Sequence, residues 1–116
     1  MTKKVALFAF NGDPMCFVHV LLNALDMDAR GYEAKVIVEG SATRTVNVLD
    51  DPDAQFNALY EQVKAKGLID CVCKACAAKM GALEGVEAQG LPLCGEMKGH
   101  PSMGRCTDEG YEIITF

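Results

Sequence analysis

The stretch that decides the fold reads VALFAFNGDP, from Val5 to Pro14. Its first six residues, Val5–Phe10, form a continuous apolar run, which is typical of a strand buried on both faces of a parallel sheet. Asn11 and Gly12 end the run, and Asp13 then offers a carboxylate N-cap before a proline at the first helical position. The stretch therefore predicts a strand, a turn and a helix in direct succession.

The rest of the chain repeats this alternation. The first helix carries apolar residues at helical spacing and ends near Gly31. Apolar runs predict further strands at Ala34–Glu39, Leu68–Val72, Val86–Leu91 and Tyr111–Phe116. Further helices are predicted from Asp51-Pro52 to Gly67, over Cys73–Met80 and over Pro101–Glu109. Strands that alternate with helices imply βαβ units, and hence a mostly parallel sheet with helices on both faces.

Composition and charge exclude several classes of protein. The chain has 116 residues, of which half are apolar, so we expect one globular domain. Its net charge is −5 and its longest basic block is Lys3-Lys4, which argues against a nucleic-acid partner. The nearly uncharged stretch Val5–Leu25 is interrupted by its turn, so we expect no membrane span.

The sequence offers no secretory signal, which predicts a cytoplasmic protein. In that compartment its six cysteines are expected to be reduced thiols, metal ligands or redox groups, and not structural disulfides.

In parallel α/β sheets, the ligand site lies at the carboxyl ends of the strands. That rule selects three loops, Asn11–Met15, Gly40–Thr45 and Cys71–Cys76. A simple turn between strand and helix is one interpretation of the first loop. The other is that it borders a pocket through the backbone N–H groups of Asn11, Gly12 and Asp13.

The strongest local signal is the sequence DCVCKAC, from Asp70 to Cys76, which falls where the third strand gives way to a helix. A thiol at a helix N-terminus lies at the positive end of the helix dipole, and Lys74 adds a positive charge beside it. Both effects lower the pKa of a cysteine, so we predict that Cys73 is the nucleophilic thiolate and Cys76 its resolving partner. The competing interpretation is that these cysteines pack as small apolar residues.

A metal site is a second interpretation of the cysteines. The run CxCxxC, followed by Cys94, His100 and Cys106, supplies enough soft donors for zinc or an iron–sulfur cluster. A zinc ribbon usually has two Cys-x-x-Cys pairs, however, and only Cys73 and Cys76 form one here. The spacing therefore favours thiol chemistry without a metal.

The two histidines lie in different settings. His19 lies among apolar residues in the first helix, so we expect it to be packed and hydrogen-bonded. His100 lies in an irregular segment, Gly99–Gly104, before a short helix that Ser102 can cap. We expect the chain from Gly99 to Cys106 to form one wall of the Cys73 pocket, where His100 is a candidate general acid or base. Packing of His100 against a neighbouring subunit is the alternative.

The chain resembles the DsrE/DsrF-like family of small α/β proteins. The resemblance rests on the opening strand-turn-helix, on VCKACAAKMG from Val72 to Gly81, and on the ending from Gly99 to Phe116. It implies a five-stranded parallel sheet in a three-layer α/β/α sandwich, assembled as dimers, trimers or hexamers. Some members relay persulfide sulfur on a cysteine in the strand-to-helix loop. The matching position here is Cys73, with Cys76 as the second cysteine.

These observations predict one domain over residues 1–116 that acts as a sulfur carrier or sulfurtransferase and needs no metal or cofactor. Its partners would be sulfur-donor and sulfur-acceptor proteins and further copies of itself, because a sheet has two edges to protect. The resemblance implies that these copies form a trimer or hexamer. The substrate pocket is expected at Asn11, Gly12, Asp13 and Lys74, and the catalytic groups are expected to be Cys73, Cys76 and His100. Two other functions stay open: a non-catalytic module that binds a small ligand or metal, and a Cys-x-x-Cys redox switch.

Overall fold

The computed structural model describes residues 2–116 and contains a five-stranded, wholly parallel sheet. The strands are β1 (Lys4–Ala9), β2 (Glu33–Val38), β3 (Ile69–Cys73), β4 (Leu93–Cys94) and β5 (Glu112–Thr115). Their spatial order is β4-β3-β2-β1-β5, so β2 is the middle strand, β3 and β1 flank it, and β4 and β5 form the edges. The predicted α/β class and the five-stranded parallel sheet are confirmed.

Helices cover the two faces of the sheet unequally. They are α1 (Pro14–Ala29), α2 (Ala42–Leu49), α3 (Asn57–Ala65), α4 (Lys74–Lys79), α5 (Leu83–Ala88) and α6 (Met103–Asp108). Alternate residues of β1 enter two different clusters: Leu7 joins the larger one, to which α1–α5 contribute, and Phe8 joins the smaller one, with Cys106 of α6. The result is an α/β/α sandwich in which one outer layer is a single short helix.

The opening stretch folds as its sequence predicts. Asp13 caps α1 by accepting a hydrogen bond from the Met15 N–H at 2.8 Å, and Pro14 occupies the first helical position. Gly31 adopts a φ of 85° just beyond the helix, a left-handed conformation that glycine adopts without a Cβ penalty. Within residues 2–116, no helix combines the length and the apolar character that crossing a bilayer requires.

The structure corrects two sequence predictions in the middle of the chain. The loop expected at Gly40–Thr45 contains the start of α2, and the helix expected from Asp51 begins only at Asn57. Helix α2 buries Ala42, Val46 and Leu49, which share one face at the i, i+4 and i+7 positions. Threonine and asparagine conceal this helix in the sequence because both have low helix propensity.

The fourth strand was also predicted in the wrong place. Val86–Leu91 is not a strand: α5 ends at Ala88, and Gly90 follows with a φ of 72°. Val86 is fully buried against the larger cluster, so a short helix satisfies its apolar side chain as well as a strand would. The edge strand comes later, at Leu93–Cys94, where Leu93 pairs with Val72 and Cys94 with Cys73.

Candidate functional site

Two thiols, an imidazole and a carboxylate converge at the carboxyl ends of β2 and β3. Cys73 is the last residue of β3 and Cys76 lies in the first turn of α4. Glu39 directly follows β2, and His100 lies in the loop between β4 and α6. One donor atom from each of these residues lies within 4.8 Å of the others. Ligand sites of parallel sheets lie at the carboxyl ends of the strands, so the cluster lies where the sequence predicts a site.

Cys73 is both the end of a strand and the N-cap of a helix. Its Sγ accepts a hydrogen bond from the Cys76 N–H at 3.3 Å, which takes the place of an intrahelical partner for that amide. The Cys73 thiol also lies 3.5 Å from the carbonyl oxygen of Gly99, as a donor. These contacts fix the sulfur at the point where the chain turns from strand to helix.

His100 lies beside both thiols, so the Gly99–Cys106 segment approaches Cys73 as the sequence predicts. Its Nδ1 is 3.2 Å from Cys73 Sγ and 3.6 Å from Cys76 Sγ. The backbone holds the loop in place, since the Gly99 carbonyl accepts the Ala75 N–H at 2.9 Å. His100 is exposed, Cys76 is partly exposed and Cys73 is fully buried, so the site opens to solvent through the imidazole and the second thiol.

Glu39 is the site residue that sequence reasoning missed. It is only 7% exposed, which is rare for a carboxylate, and burial raises its pKa to about 6. Its signal in the sequence is a charged residue placed directly after the apolar run Val36-Ile37-Val38. Because parallel strands end at the same side of the sheet, the sequence predicts a site at the loop after this strand. The predicted loop begins at Gly40, one residue after Glu39.

The structure reverses the expected pKa of Cys73. Burial raises the pKa of this thiol to about 12, and the hydrogen bond and charge of Cys76 and the charge of Glu39 act in the same direction. The hydrogen bond from the Cys76 N–H lowers the pKa but does not compensate. Lys74, which was expected to stabilise a thiolate, is exposed at the first position of α4. Cys73 is therefore a protonated, shielded thiol at neutral pH.

Of the residues predicted to line a substrate pocket, Lys74 directly follows Cys73, whereas Asn11, Gly12 and Asp13 line two other cavities. The Gly12 N–H donates to Ser41 Oγ at 2.9 Å, and the Gly12 carbonyl accepts from the Thr45 hydroxyl at 2.6 Å, so this turn joins the start of α1 to α2. Gly12 and Asp13 line a cleft of about 500 Å³ that also includes Arg44. Asn11 lines a different cavity, with Cys16 and His19.

The remaining cysteines follow three different patterns, and one of them corrects a prediction. Cys71 and Cys94 form a disulfide between β3 and β4, with their Cα atoms 5.6 Å apart, although disulfides were not expected. Cys106 is fully buried in the smaller cluster and Cys16 is partly exposed on α1. The wider ligand set considered from the sequence, with Cys94 and Cys106, is thus reduced to Cys73, Cys76 and His100. His19, expected to be packed, is exposed.

Fold and site together define a class of protein: a parallel α/β protein with a centre of two Cys-x-x-Cys thiols, a histidine and a glutamate at the carboxyl ends of its strands. The chain is 32% identical over 97 residues to uncharacterized protein MJ0733 of Methanocaldococcus jannaschii, a match that covers 84% of this chain and 77% of the relative. It therefore belongs to the same family as MJ0733. An uncharacterized Archaeoglobus fulgidus protein is 54% identical over 43 residues, which is 37% of this chain and 70% of that protein.

One solved structure has the same fold. It is a protein of unknown function from Bacteroides thetaiotaomicron, BT1422, which superposes with a TM-score of 0.72 at 15% sequence identity. The superposition covers 97% of this chain and 95% of that one. No protein-family model matches the chain.

Proposed function

We propose that the protein is a cytoplasmic sulfur carrier that takes up persulfide sulfur on its paired thiols. The observation that carries this proposal is the placement of Cys73 Sγ, Cys76 Sγ and His100 Nδ1 within 4.8 Å of one another, with one thiol open to solvent. Sulfur relay is thiol exchange, so it needs an accessible sulfur, a group to move the proton, and no cofactor. The resemblance of residues 72–81 to the DsrE/DsrF-like family supports the same chemistry.

We assign the first step to Cys76 because its thiol is partly exposed, whereas that of Cys73 is buried. Its thiol gives its proton to His100 Nδ1, 3.6 Å away, and attacks the outer sulfur of a donor persulfide. A bond forms between Cys76 Sγ and the sulfane sulfur, the sulfur–sulfur bond of the donor breaks, and the donor leaves as a thiol with the proton from His100. No net oxidation occurs, because one persulfide replaces another.

Cys73 is suited to a second step, since it is buried and its Sγ lies within 4.8 Å of Cys76 Sγ. By the same exchange, Cys73 can take the sulfane sulfur from Cys76 and hold it away from solvent. Return to Cys76 and attack by a thiol of an acceptor protein completes the relay. This order differs from the sequence-based assignment, in which Cys73 makes the first attack.

The test is persulfide loading of protein that has been freed of metal by chelation, with Cys73 and Cys76 as thiols and the Cys71–Cys94 disulfide intact. We expect incubation with a low-molecular-weight persulfide to add one sulfur atom to the Cys73–Cys76 pair, as seen by intact mass and peptide mapping. The Cys76→Ser variant should lose this gain, and the Cys16→Ser variant, which removes a partly exposed thiol on α1, should keep it. Equal loading of wild type and Cys76→Ser would refute the proposal, and so would a loss of two hydrogens in place of a gain of sulfur.

We also propose that the carrier is a homo-oligomer, a trimer or hexamer, that exchanges sulfur with donor and acceptor proteins. Within residues 2–116, β5 pairs only with β1, so the other side of this edge strand is available for pairing with a second copy. Apolar side chains of α1 are also exposed, with Met15 at 60% and Leu22 at 46%. Sedimentation equilibrium at micromolar concentration should give a multiple of 12.5 kDa, and a monomer mass would remove this part of the proposal.

A further inference from the structure

The donor atoms of the site have the spacing of a tetrahedral metal centre. Around a zinc ion, with Zn–S bonds of about 2.3 Å and Zn–N bonds of about 2.0 Å, sulfur and nitrogen ligands at tetrahedral angles are about 3.5 Å apart. His100 Nδ1 lies 3.2 Å from Cys73 Sγ and 3.6 Å from Cys76 Sγ. Both nitrogen–sulfur distances are thus close to the distance expected when His100 and the two thiols bind the same ion.

Glu39 completes a set of four donors and has no cationic partner among the described residues. Its side chain is buried, and none of the ion pairs formed within the described chain includes it. A carboxylate removed from water is costly unless it is paired or coordinates a metal. A divalent ion among Cys73, Cys76 and His100 would supply the missing positive charge.

The backbone prepares these side chains for such an ion. The Cys76 N–H donates to Cys73 Sγ at 3.3 Å, which orients one sulfur toward the other ligands. The loop that carries His100 is closed by Met97 and His100, whose backbone groups exchange hydrogen bonds at 2.8 and 3.0 Å. Hydrogen bonds that orient ligands in this way are typical supports of metal sites.

We propose that Glu39, Cys73, Cys76 and His100 bind one zinc-class divalent ion in a closed, four-coordinate site. Two thiols, one imidazole nitrogen and one carboxylate oxygen form a donor set that suits zinc, and binding releases the thiol protons to solvent. The inference does not rest on the sulfur-carrier proposal, but it adds a regulatory feature to it. Thiolates held by the metal are not free to accept sulfane sulfur, so metal occupancy and sulfur loading exclude each other.

Cobalt titration of the metal-free protein, with Cys73 and Cys76 as thiols and the Cys71–Cys94 disulfide intact, tests the site directly. We expect one Co²⁺ per chain, with a thiolate-to-cobalt charge-transfer band and the intense visible bands of tetrahedral cobalt, and both should disappear when Zn²⁺ is added. Substitutions Glu39→Gln, Cys76→Ser and His100→Ala should each weaken cobalt affinity by at least about 10-fold. Circular dichroism of each variant verifies its fold, and His100→Asn replaces His100→Ala if the latter is unfolded.

The chain supplies matched controls on α1. Cys16→Ser and His19→Ala remove the same residue types away from the site, and both should bind cobalt like the wild type. Absence of the charge-transfer band, octahedral spectra only, or an unchanged affinity in Glu39→Gln would overturn the four-ligand site. Persulfide loading is measured on chelated protein, so failure of the cobalt experiment and failure of the sulfur-carrier proposal are separate results. Loading that proceeds unchanged with one equivalent of Zn²⁺ present would overturn the mutual exclusion.

Discussion

Gly99 determines how closely the histidine loop approaches helix α4. Its φ is +97°, and a Cβ added there would lie 2.9 Å from the Cβ of Ala75. The Gly99 carbonyl accepts hydrogen bonds from the Ala75 N–H and from the Cys73 thiol. The next residue is His100, so the lack of a side chain at this position places the imidazole against both sulfurs.

We expect Gly99→Ala to displace the His100 loop from α4. The left-handed backbone costs a non-glycine residue about 1–2 kcal/mol, and the clash with Ala75 adds to this cost. Gly90→Ala is the matched control, because Gly90 has a φ of +72° but open space around its Cβ position. Urea unfolding should show a loss of stability in both variants, while cobalt affinity should fall only in Gly99→Ala. Equal cobalt affinity in the two variants would contradict the role given to this glycine.

The two thiols of the site should differ in reactivity toward small alkylating agents. Cys73 is fully buried and its pKa is raised to about 12, so little thiolate forms on it between pH 7 and pH 9. We expect iodoacetamide to modify Cys76 and Cys16 of the native, metal-free protein well before Cys73. Peptide mapping over time measures the order, and denatured protein, in which burial is lost, serves as the reference. Faster modification of Cys73 than of Cys16 would restore the assignment made from the sequence.

At the scale of elements, the site depends on a loop that is fastened at several points. The Glu96 carboxylate accepts hydrogen bonds from the Ser102 N–H at 2.7 Å and from Arg105 Nε at 3.3 Å. Ser102 in turn caps α6 by accepting the Arg105 N–H. Glu96 thus links the beginning of the His100 loop to the helix that follows it. The hydrogen bond from Ser102 and the charge of Arg105 lower the pKa of Glu96.

We expect Glu96→Gln to loosen this loop while leaving the sheet intact. Hydrogen exchange should accelerate at residues 97–101, and the free energy of unfolding should fall by about 1 kcal/mol. Glu109→Gln is the control, since Glu109 also pairs with Arg105 but does not contact the loop backbone. A lowered carboxyl pKa stabilises the native state above the ordinary pKa range of glutamate, and this contribution is lost as the pH falls through the lowered value. In the wild type, the protection of the loop amides from hydrogen exchange should therefore decrease as the pH is lowered. In Glu96→Gln this protection should not change with pH.

Elements with a local signal could be predicted from the sequence, and elements that depend on tertiary contacts could not. Helix α1 is marked by the Asp13-Pro14 start and a regular apolar stripe, and it appeared where expected. Helix α2 has no such start: Ser41 makes no side-chain cap, and the buried Thr45 is satisfied only by the carbonyl of Gly12, distant in sequence. Strand β4 has two residues and exists only because β3 lies beside it.

The same division applies to the site. Cys73, Cys76 and His100 could be selected because the spacing of the cysteines and the irregular Gly99–Cys106 segment are visible in one dimension. Glu39 could not be selected by residue type alone, since its role comes from the β2–β3 pairing that brings two strand ends together. The raised pKa of Cys73 was also hidden, because burial outweighs the N-terminal position that the sequence displays.

In the molecule as a whole, one edge of the sheet is held by a covalent link. Strand β4 pairs with β3 through two residues only, and the Cys71–Cys94 disulfide joins the same two strands. The segment that carries His100 follows β4 directly. The disulfide therefore ties the histidine loop, as well as the edge strand, to the central part of the sheet that carries Cys73.

Reduction of this disulfide should destabilise the whole molecule. The two cysteines are 23 residues apart, and the chain-entropy account of a loop of that length gives about 3 kcal/mol of stabilisation. We expect a non-thiol reductant to lower the free energy of unfolding by that amount in guanidinium titrations of metal-free protein. The double variant Cys71→Val/Cys94→Val is the control, because it lacks the link and should not respond to reductant. If wild type and the double variant respond alike, β4 and the His100 loop are held by packing and hydrogen bonds alone, and the disulfide has no such role.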